Sequence, residues 1–373
     1  MINTAKGLQH LRSMTLYSSS TDENTTADTL AAQSPCPDEP PESLAADTET
    51  GASLIRVDFI KFVDYLVQSC HSINSCICNG LNNQKSRIEL MADNILHMAH
   101  AMPDASLAVM HYYYTHPHSA LHPVYSAILS AGIAETLGSG QESIHSLTCA
   151  AISANLGMFR NFDTLTNSTD KLSDEEHNIL KAHPAVSCEL LQNNNVDDTL
   201  WLQIVMQHHE RPDGTGYPHG LADPQICAEA KILGMVDTYL ALIMPRAYRQ
   251  ALLPGGAMKK LYTLSIGSNE QLSSALIKVL GIFPPGSLVK LDNEETAMVY
   301  KRNPDNSLQP VVAALYNKKD KFYDKPILRD TANPVFKIIS PARLTIKNQL
   351  LLHDLWNKDD KLDLRLSGEA RPC

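Results

Sequence analysis

Long apolar runs are missing from this chain. No stretch approaches the roughly 18 to 20 residues that a membrane-spanning helix needs. The N-terminus lacks a charged segment leading into a continuous apolar core, so no secretory leader is expected and the sequence reads as soluble and cytoplasmic. A basic excess is missing too: Lys and Arg number 31 against 41 Asp and Glu, a net charge of −10. A general nucleic-acid binder needs a basic face to neutralise phosphates, so that class is excluded. A small anionic ligand held by a few local arginines is not. Cysteine pairs at zinc spacing are also absent. Of eight cysteines, Cys76 and Cys78 form CxC, and no second pair answers it. Several others sit in apolar helical patterns and read as buried, reduced thiols.

What the chain does have is a core. Apolar residues make up 43% of its 373 residues. They are unevenly spread. Residues 1–50 hold eight acids and two bases, with SPCPDEPPES in the middle. Such a stretch buries too little apolar surface to offset its ordering entropy, so 1–53 is expected to be a disordered acidic tail. Its deletion should leave the melting temperature of the rest unchanged. From Asp58 onward the apolar residues recur at helical spacing, as in Phe59, Ile60, Val63, Leu66 and Val67, then Ile88, Met91, Ile95 and Met98. Ser173 with Glu176 three residues on is a capping box. An N-terminal helical segment is expected over 54–115 and a helical domain over 116–283. After the breaker Pro284-Pro285-Gly286, the segments SLVKL, TAMVYKR and PVVAALY read as strands of a small β-rich region over 284–373.

Residues 208–218 read HHERPDGTGYP. Adjacent residues of a regular helix point about 100° apart, so His208 and His209 share a site only at a fraying helix end. Neutral imidazole is a common ligand of Zn, Fe, Ni and Cu, and Glu210 could orient such a ligand. The bland alternative is a histidine pair favoured by the dipole at an exposed helix C-terminus. Beyond it, Asp213, Gly214, Gly216, Tyr217 and Pro218 are turn chemistry.

The eleven residues together resemble the signature of the HD-GYP family, metal-dependent bacterial phosphodiesterases of the HD superfamily that act on cyclic di-GMP. LSDEEHNILKAHPAVSCELL (172–191), AKILGMVDTYLALIMPRAYRQA (230–251) and HPVYSAILSAGIAETLG (122–138) resemble other family segments. Coverage is roughly 120–300. The resemblance implies a mainly α HD-superfamily bundle with a small C-terminal β appendage. It implies metal ligands at His122, His183, His208, His209 and Asp237. It implies a nucleotide site that includes Asp213, Gly214, Gly216, Tyr217, Pro218, Arg246 and Arg249.

The family is named for an HD dyad in a stretch like LLHDIGK. The matching stretch here is AISANLGMF, which places Ala154 and Asn155 at the dyad and Met158 at the lysine. Two-metal hydrolysis holds its cations roughly 3.5 to 4 Å apart to clamp attacking and leaving oxygens. Asn155 offers a neutral carbonyl oxygen and cannot bridge as a carboxylate does. Ala154 offers nothing, and Met158 carries no ammonium. His145 lies half a turn out of phase with Ala154 and faces away. His111, His116, His118 and His122 offer either a replacement metal set or a solvated loop. Pro123 suits the first position of a helix, which would leave His118 outside it.

The expected chemistry is therefore one divalent transition metal of the Fe, Mn or Zn type, in place of the usual pair. Three functions follow. The first is a non-catalytic or weakly catalytic cyclic di-GMP signalling module, acting as receptor, scaffold or regulator. The second is an active phosphodiesterase with a rearranged metal site. The third is a module that binds a signalling protein through the GYP loop and takes no nucleotide.

Overall fold

Helix α1 (Phe59–Cys78) turns Phe59, Phe62, Val63, Leu66 and Cys70 into the core, and α2 (Lys85–Ala101) buries Ile88, Met91, Ile95 and Met98, the stripes that the spacing predicts. The computed structural model describes residues 54–112, 116–168, 171–246, 249–263, 270–343, 355–356 and 362–365. The acidic tail over 1–53 lies outside them. The remaining helices are α3 (Pro103–Tyr112), α4 (His118–Leu137), α5 (Gln141–Ser153), α6 (Phe162–Asn167), α7 (Asp174–Asn193), α8 (Thr199–Gln207), α9 (Ala228–Ile243), α10 (Pro254–Thr263) and α11 (Glu270–Leu280). A short 3₁₀ stretch, Leu156–Asn161, joins α5 to α6.

Helix α4 runs through the middle. It packs against α1, α2, α5, α9 and α11 and is buried almost all round from Ser119 to Ala131. Two sequence-local devices set the starts of α7 and α8. The capping box of α7 is formed, with both the Ser173 side chain and the Glu176 side chain engaged. Asp198 caps α8 by accepting from the Trp201 N–H at 3.0 Å. The Trp201 indole N–H then donates to Ser153 Oγ at 2.9 Å and fixes α8 against α5.

One helix boundary differs from expectation. Helix α4 begins at His118, not near Pro123, and carries Pro123 inside it. A proline can sit there only if the preceding turn is held by other means. Asp163 of α6 supplies them, accepting from the Ser119 N–H at 3.0 Å and from its hydroxyl at 2.5 Å. The cap comes from a distant residue, so no local pattern signals it. His118 and His122 consequently lie one turn apart on one face.

After Pro284-Pro285-Gly286 come β2 (Leu288–Leu291), β3 (Thr296–Lys301), β4 (Val311–Tyr316), β5 (Phe322–Asp330) and β6 (Ile338–Pro341), an antiparallel sheet in the order β5-β4-β3-β2-β6. Successive side chains alternate faces. Met298, Ala313 and Leu315 join the helical core, while Val289, Leu291, Ala297, Val299, Val312 and Ala314 form a second core under Phe283, Tyr323, Phe336 and Ile338. A strand unforeseen within 54–115, β1 (Leu54–Val57), pairs antiparallel with β7 (Leu362–Arg365).

The appendage contains one buried charge network. Glu295 is 5% exposed and accepts from Arg329 Nε at 3.0 Å, Arg329 Nη2 at 2.9 Å and the Tyr323 hydroxyl at 2.7 Å. The Arg329 guanidinium holds this carboxyl down to about 2, from an ordinary 4.5. A depressed carboxyl stabilises the fold above its unfolded value and loses that contribution as pH falls through the folded one. Glu295→Gln should therefore cost on the order of 2 kcal/mol at pH 7. The gap from wild type should close between pH 4.5 and 2. Urea melts of both proteins at pH 7 and pH 3 check this.

Candidate functional site

Three imidazoles meet where the middle of α7 faces the C-terminal end of α8. His183 lies in α7 and is followed there by Pro184. Proline has no N–H, so the carbonyl four residues back, that of Leu180, loses its helical partner. His183 Nδ1 takes that carbonyl at 2.7 Å. His208 is the C-cap residue that follows α8. The last carbonyls of a helix are likewise without intrahelical partners. His208 Nδ1 takes that of Val205 at 2.7 Å. A carbonyl only accepts, so both rings carry their proton on Nδ1. Their Nε2 atoms, left with lone pairs, face each other at 3.3 Å.

His209 completes the group. Just past the helix end it escapes the 100° separation, and its ring lies 4.1 Å from that of His208 and 4.9 Å from that of His183. Its Nε2 is buried without a hydrogen-bond partner. The ligand atoms of His183, His208 and His209 all lie within 4.8 Å of one another. Burial holds all three imidazoles below the ordinary histidine range, so they are neutral near pH 7. A buried, partnerless imidazole nitrogen beside two opposed lone pairs is what a divalent transition metal would satisfy.

Two glycines make this packing possible. A Cβ at Gly234 of α9 would lie 2.5 Å from the His208 carbonyl oxygen, and one at Gly157 would run into the backbone of His183. The turn at 154–157 is tied to α7 as well. Ser187 Oγ donates to the Ala154 carbonyl at 2.7 Å and accepts from the Gly157 N–H at 2.8 Å. Ala154 thus presents a buried methyl. Asn155 is buried too, its Oδ1 without a hydrogen-bond partner.

The loop after His209 is built around Glu210. Its buried carboxylate accepts from the His219 N–H at 2.6 Å and the Leu221 N–H at 2.9 Å. Glu210 pins the loop: its oxygens take the His219 and Leu221 amides, and Oε1 lies 3.9 Å from the His219 imidazole, in place of the ligand-orienting contact that the sequence suggested. Asp213 holds the Thr215 N–H at 3.0 Å and the Thr215 hydroxyl at 2.6 Å. Gly214 stands in the left-handed region at φ 75°. Gly216 packs against the Glu210 backbone so closely that a Cβ would not fit. Tyr217, followed by Pro218, stacks its ring on His209 at 4.7 Å and 25°.

The other expected ligands stand apart. His122 Nε2 meets Asp237 Oδ1 at 3.3 Å, and its Nδ1 lies 3.3 Å from Ser126 Oγ. Asp237 and His209 both line two cavities. One, of about 340 Å³, is bounded by Arg211, Thr215, Tyr217 and Lys231. The other, of about 320 Å³, is bounded by His122, Met158, Phe162, Lys171 and Arg246. Arg246 and Arg249 do not point the same way. Their backbones bridge each other, and the Arg249 guanidinium caps α9 by donating to the carbonyls of Ala241 and Leu242. The four-histidine alternative does not assemble either: His111 Nε2 lies 3.2 Å from the Tyr239 hydroxyl and His116 Nε2 3.1 Å from Asp64 Oδ1. His145 faces Asp93, at 3.5 Å.

Residues 103–265 match the HD domain family model. The cyclic di-GMP phosphodiesterase PA4108 of Pseudomonas aeruginosa is 26% identical over 219 residues, 59% of this chain and 53% of that protein. The response regulator RpfG of Xanthomonas campestris pv. campestris, a cyclic di-GMP phosphodiesterase, is 34% identical over 131 residues, 35% of each chain. The cyclic di-GMP phosphodiesterase PdeB of Borreliella burgdorferi is 24% identical over 243 residues, 63% of this chain and 64% of that protein. The chain carries an HD domain over residues 103–265. It spans about half the length of the first of these relatives and about a third of the second. Among the described residues, no helix is long and apolar enough to cross a membrane.

Residues of the candidate site that the sequence did not single out include Ser187, Asp163 and Lys171. Ser187 secures the turn at 154–157, Asp163 the start of α4, and Lys171 lines one cavity. Ser187 and Asp163 act across tens of residues, and none of the three carries a motif.

Proposed function

We propose that this chain is a cyclic di-GMP signalling module that holds the nucleotide without hydrolysing it at enzymatic rates. One observation carries the reading. The two dyad positions hold a buried methyl, Ala154, and a buried neutral amide, Asn155. Neither gives the carboxylate that draws two cations together, and Met158 in the adjoining cavity brings no ammonium to a phosphate.

Binding groups remain. Arg246 and Lys171 put two cations on the cavity that His122 and Asp237 share. A guanidinium pairs with phosphate oxygens through parallel hydrogen bonds. Tyr217 is half-buried, and desolvation pushes its hydroxyl well above the ordinary range, so it stays protonated and can donate. Its ring already stacks on His209 and closes that side of the site. A divalent metal on His183, His208 and His209 would add a Lewis-acid anchor for a phosphate oxygen.

Calorimetric titration with cyclic di-GMP tests the reading. Arg246→Ala should weaken binding by about 10- to 100-fold, the worth of a charged hydrogen bond. Arg249→Ala should leave it unchanged, since that side chain caps α9. Absence of any binding by the wild type would hand the site to a protein partner that docks on the GYP loop.

A further inference from the structure

We infer that the site is a single-metal, all-nitrogen centre, held by the Nε2 atoms of His183, His208 and His209, which selects Zn²⁺-type ions over Mn²⁺ and Mg²⁺. The inference rests on the HD-GYP reading of these histidines and goes beyond it to the number and kind of ion.

Three observations combine. First, the hydrogen bonds to the Leu180 and Val205 carbonyls leave His183 and His208 with unprotonated Nε2 atoms 3.3 Å apart. Two lone pairs at that distance repel unless something positive lies between or beside them. Second, the Nε2 of His209 is buried with nothing to bond. Third, among the described residues, the one set of three or more His, Cys, Asp or Glu side chains that converges for an ion is this trio, and it contains no carboxylate. Asp237, which lines the same cavity as His208 and His209, is outside that set and stands against His122 at 3.3 Å.

The donor chemistry decides the ion. Mg²⁺ and Mn²⁺ favour carboxylate, carbonyl and water oxygens, whereas imidazole nitrogen suits Zn²⁺, Cu²⁺ and Ni²⁺. Three neutral nitrogens supply no negative charge, so a hard cation gains least here. Zn²⁺ is commonly held by three protein ligands with a further position open. A second ion would need a bridging group, and Ala154 and Asn155 provide no charged one. A proton shared between His183 and His208 is the competing occupant. It would leave a buried imidazolium with no carboxylate hydrogen-bonded to it.

The full chain is stripped with a chelator, loaded separately with Zn²⁺, Mn²⁺ or Co²⁺, desalted and assayed for bound metal. One Zn²⁺ per chain should be retained and Mn²⁺ lost. The Co²⁺ form should show the strong visible absorption of a four-coordinate nitrogen site. His209→Ala and the bulkier His209→Gln should both lose the ion, with metal-free melting curves near that of wild type. Two ions per chain, equal retention of Mn²⁺, or full retention by both variants would each overturn the inference. Retained Zn²⁺ in a protein that fails to bind cyclic di-GMP would support this centre while refuting the receptor reading.

Discussion

Incubated with cyclic di-GMP and saturating Mn²⁺ or Zn²⁺, the purified chain should turn over far more slowly than about 1 per second, the lower edge of ordinary enzyme rates. The expectation rests on charge. A metal pair is held close by a carboxylate that offsets the repulsion between two dications, and that offset is what Asn155 lacks. Asn155→Asp tests the cause directly. The residue is buried, and its Oδ1 has no hydrogen-bond partner. A carboxylate there would be uncompensated, so with chelator present the variant should lose roughly 1 to 3 kcal/mol of stability at pH 7. Added metal should restore that loss by mass action, and more steeply than in wild type. Thermal melts with and without metal read both effects. Wild-type turnover at enzymatic rates would refute the assignment of Ala154 and Asn155 to the dyad. So would an Asn155→Asp variant indifferent to metal.

How much of this was legible beforehand follows from the range of each interaction. The capping box at Ser173, the stripe Ile88–Met91–Ile95–Met98 and the strands after Pro284-Pro285-Gly286 all act within a few residues, and the structure has them. The start of α4 was misplaced because its cap, Asp163, comes from a later helix. The pairing of β1 with β7 joins segments some 300 residues apart and leaves no local trace. The site divides in the same way. His208 and His209 are adjacent, so their closeness needs only a helix end. Their meeting with His183 came from family resemblance and from no periodicity. Arg246 and Arg249 show the limit of spacing arguments: three residues apart, they would share a face of a helix, but α9 stops at Ile243 and the turn beyond it parts them. Glu210 was read by proximity to the imidazoles, yet its partners are amides nine and eleven residues ahead.

Glu210→Ala should therefore be the most disruptive single change in the loop. The carboxylate is fully buried and takes the His219 and Leu221 amides. Hydrogen bonds to a charged group are worth about 1.5 to 3 kcal/mol, and truncation also leaves the amides without partners. The loss should fall first on residues 211–221, because the helices do not depend on those bonds. Once the loop loosens, Tyr217 loses its stacked position on His209, and the wall it forms beside the three imidazoles opens. Hydrogen exchange at the His219 and Leu221 amides should rise by about two orders of magnitude, which is ~3 kcal/mol of lost protection. The helical signal should melt only a few degrees lower. Glu210→Gln keeps one acceptor oxygen in place and should lie between. Asp213→Ala removes an exposed turn contact with Thr215 and should change little. Unaltered exchange at His219 and Leu221 in Glu210→Ala would show that the loop is held by its glycines and Pro218 alone, and that the buried carboxylate has another task.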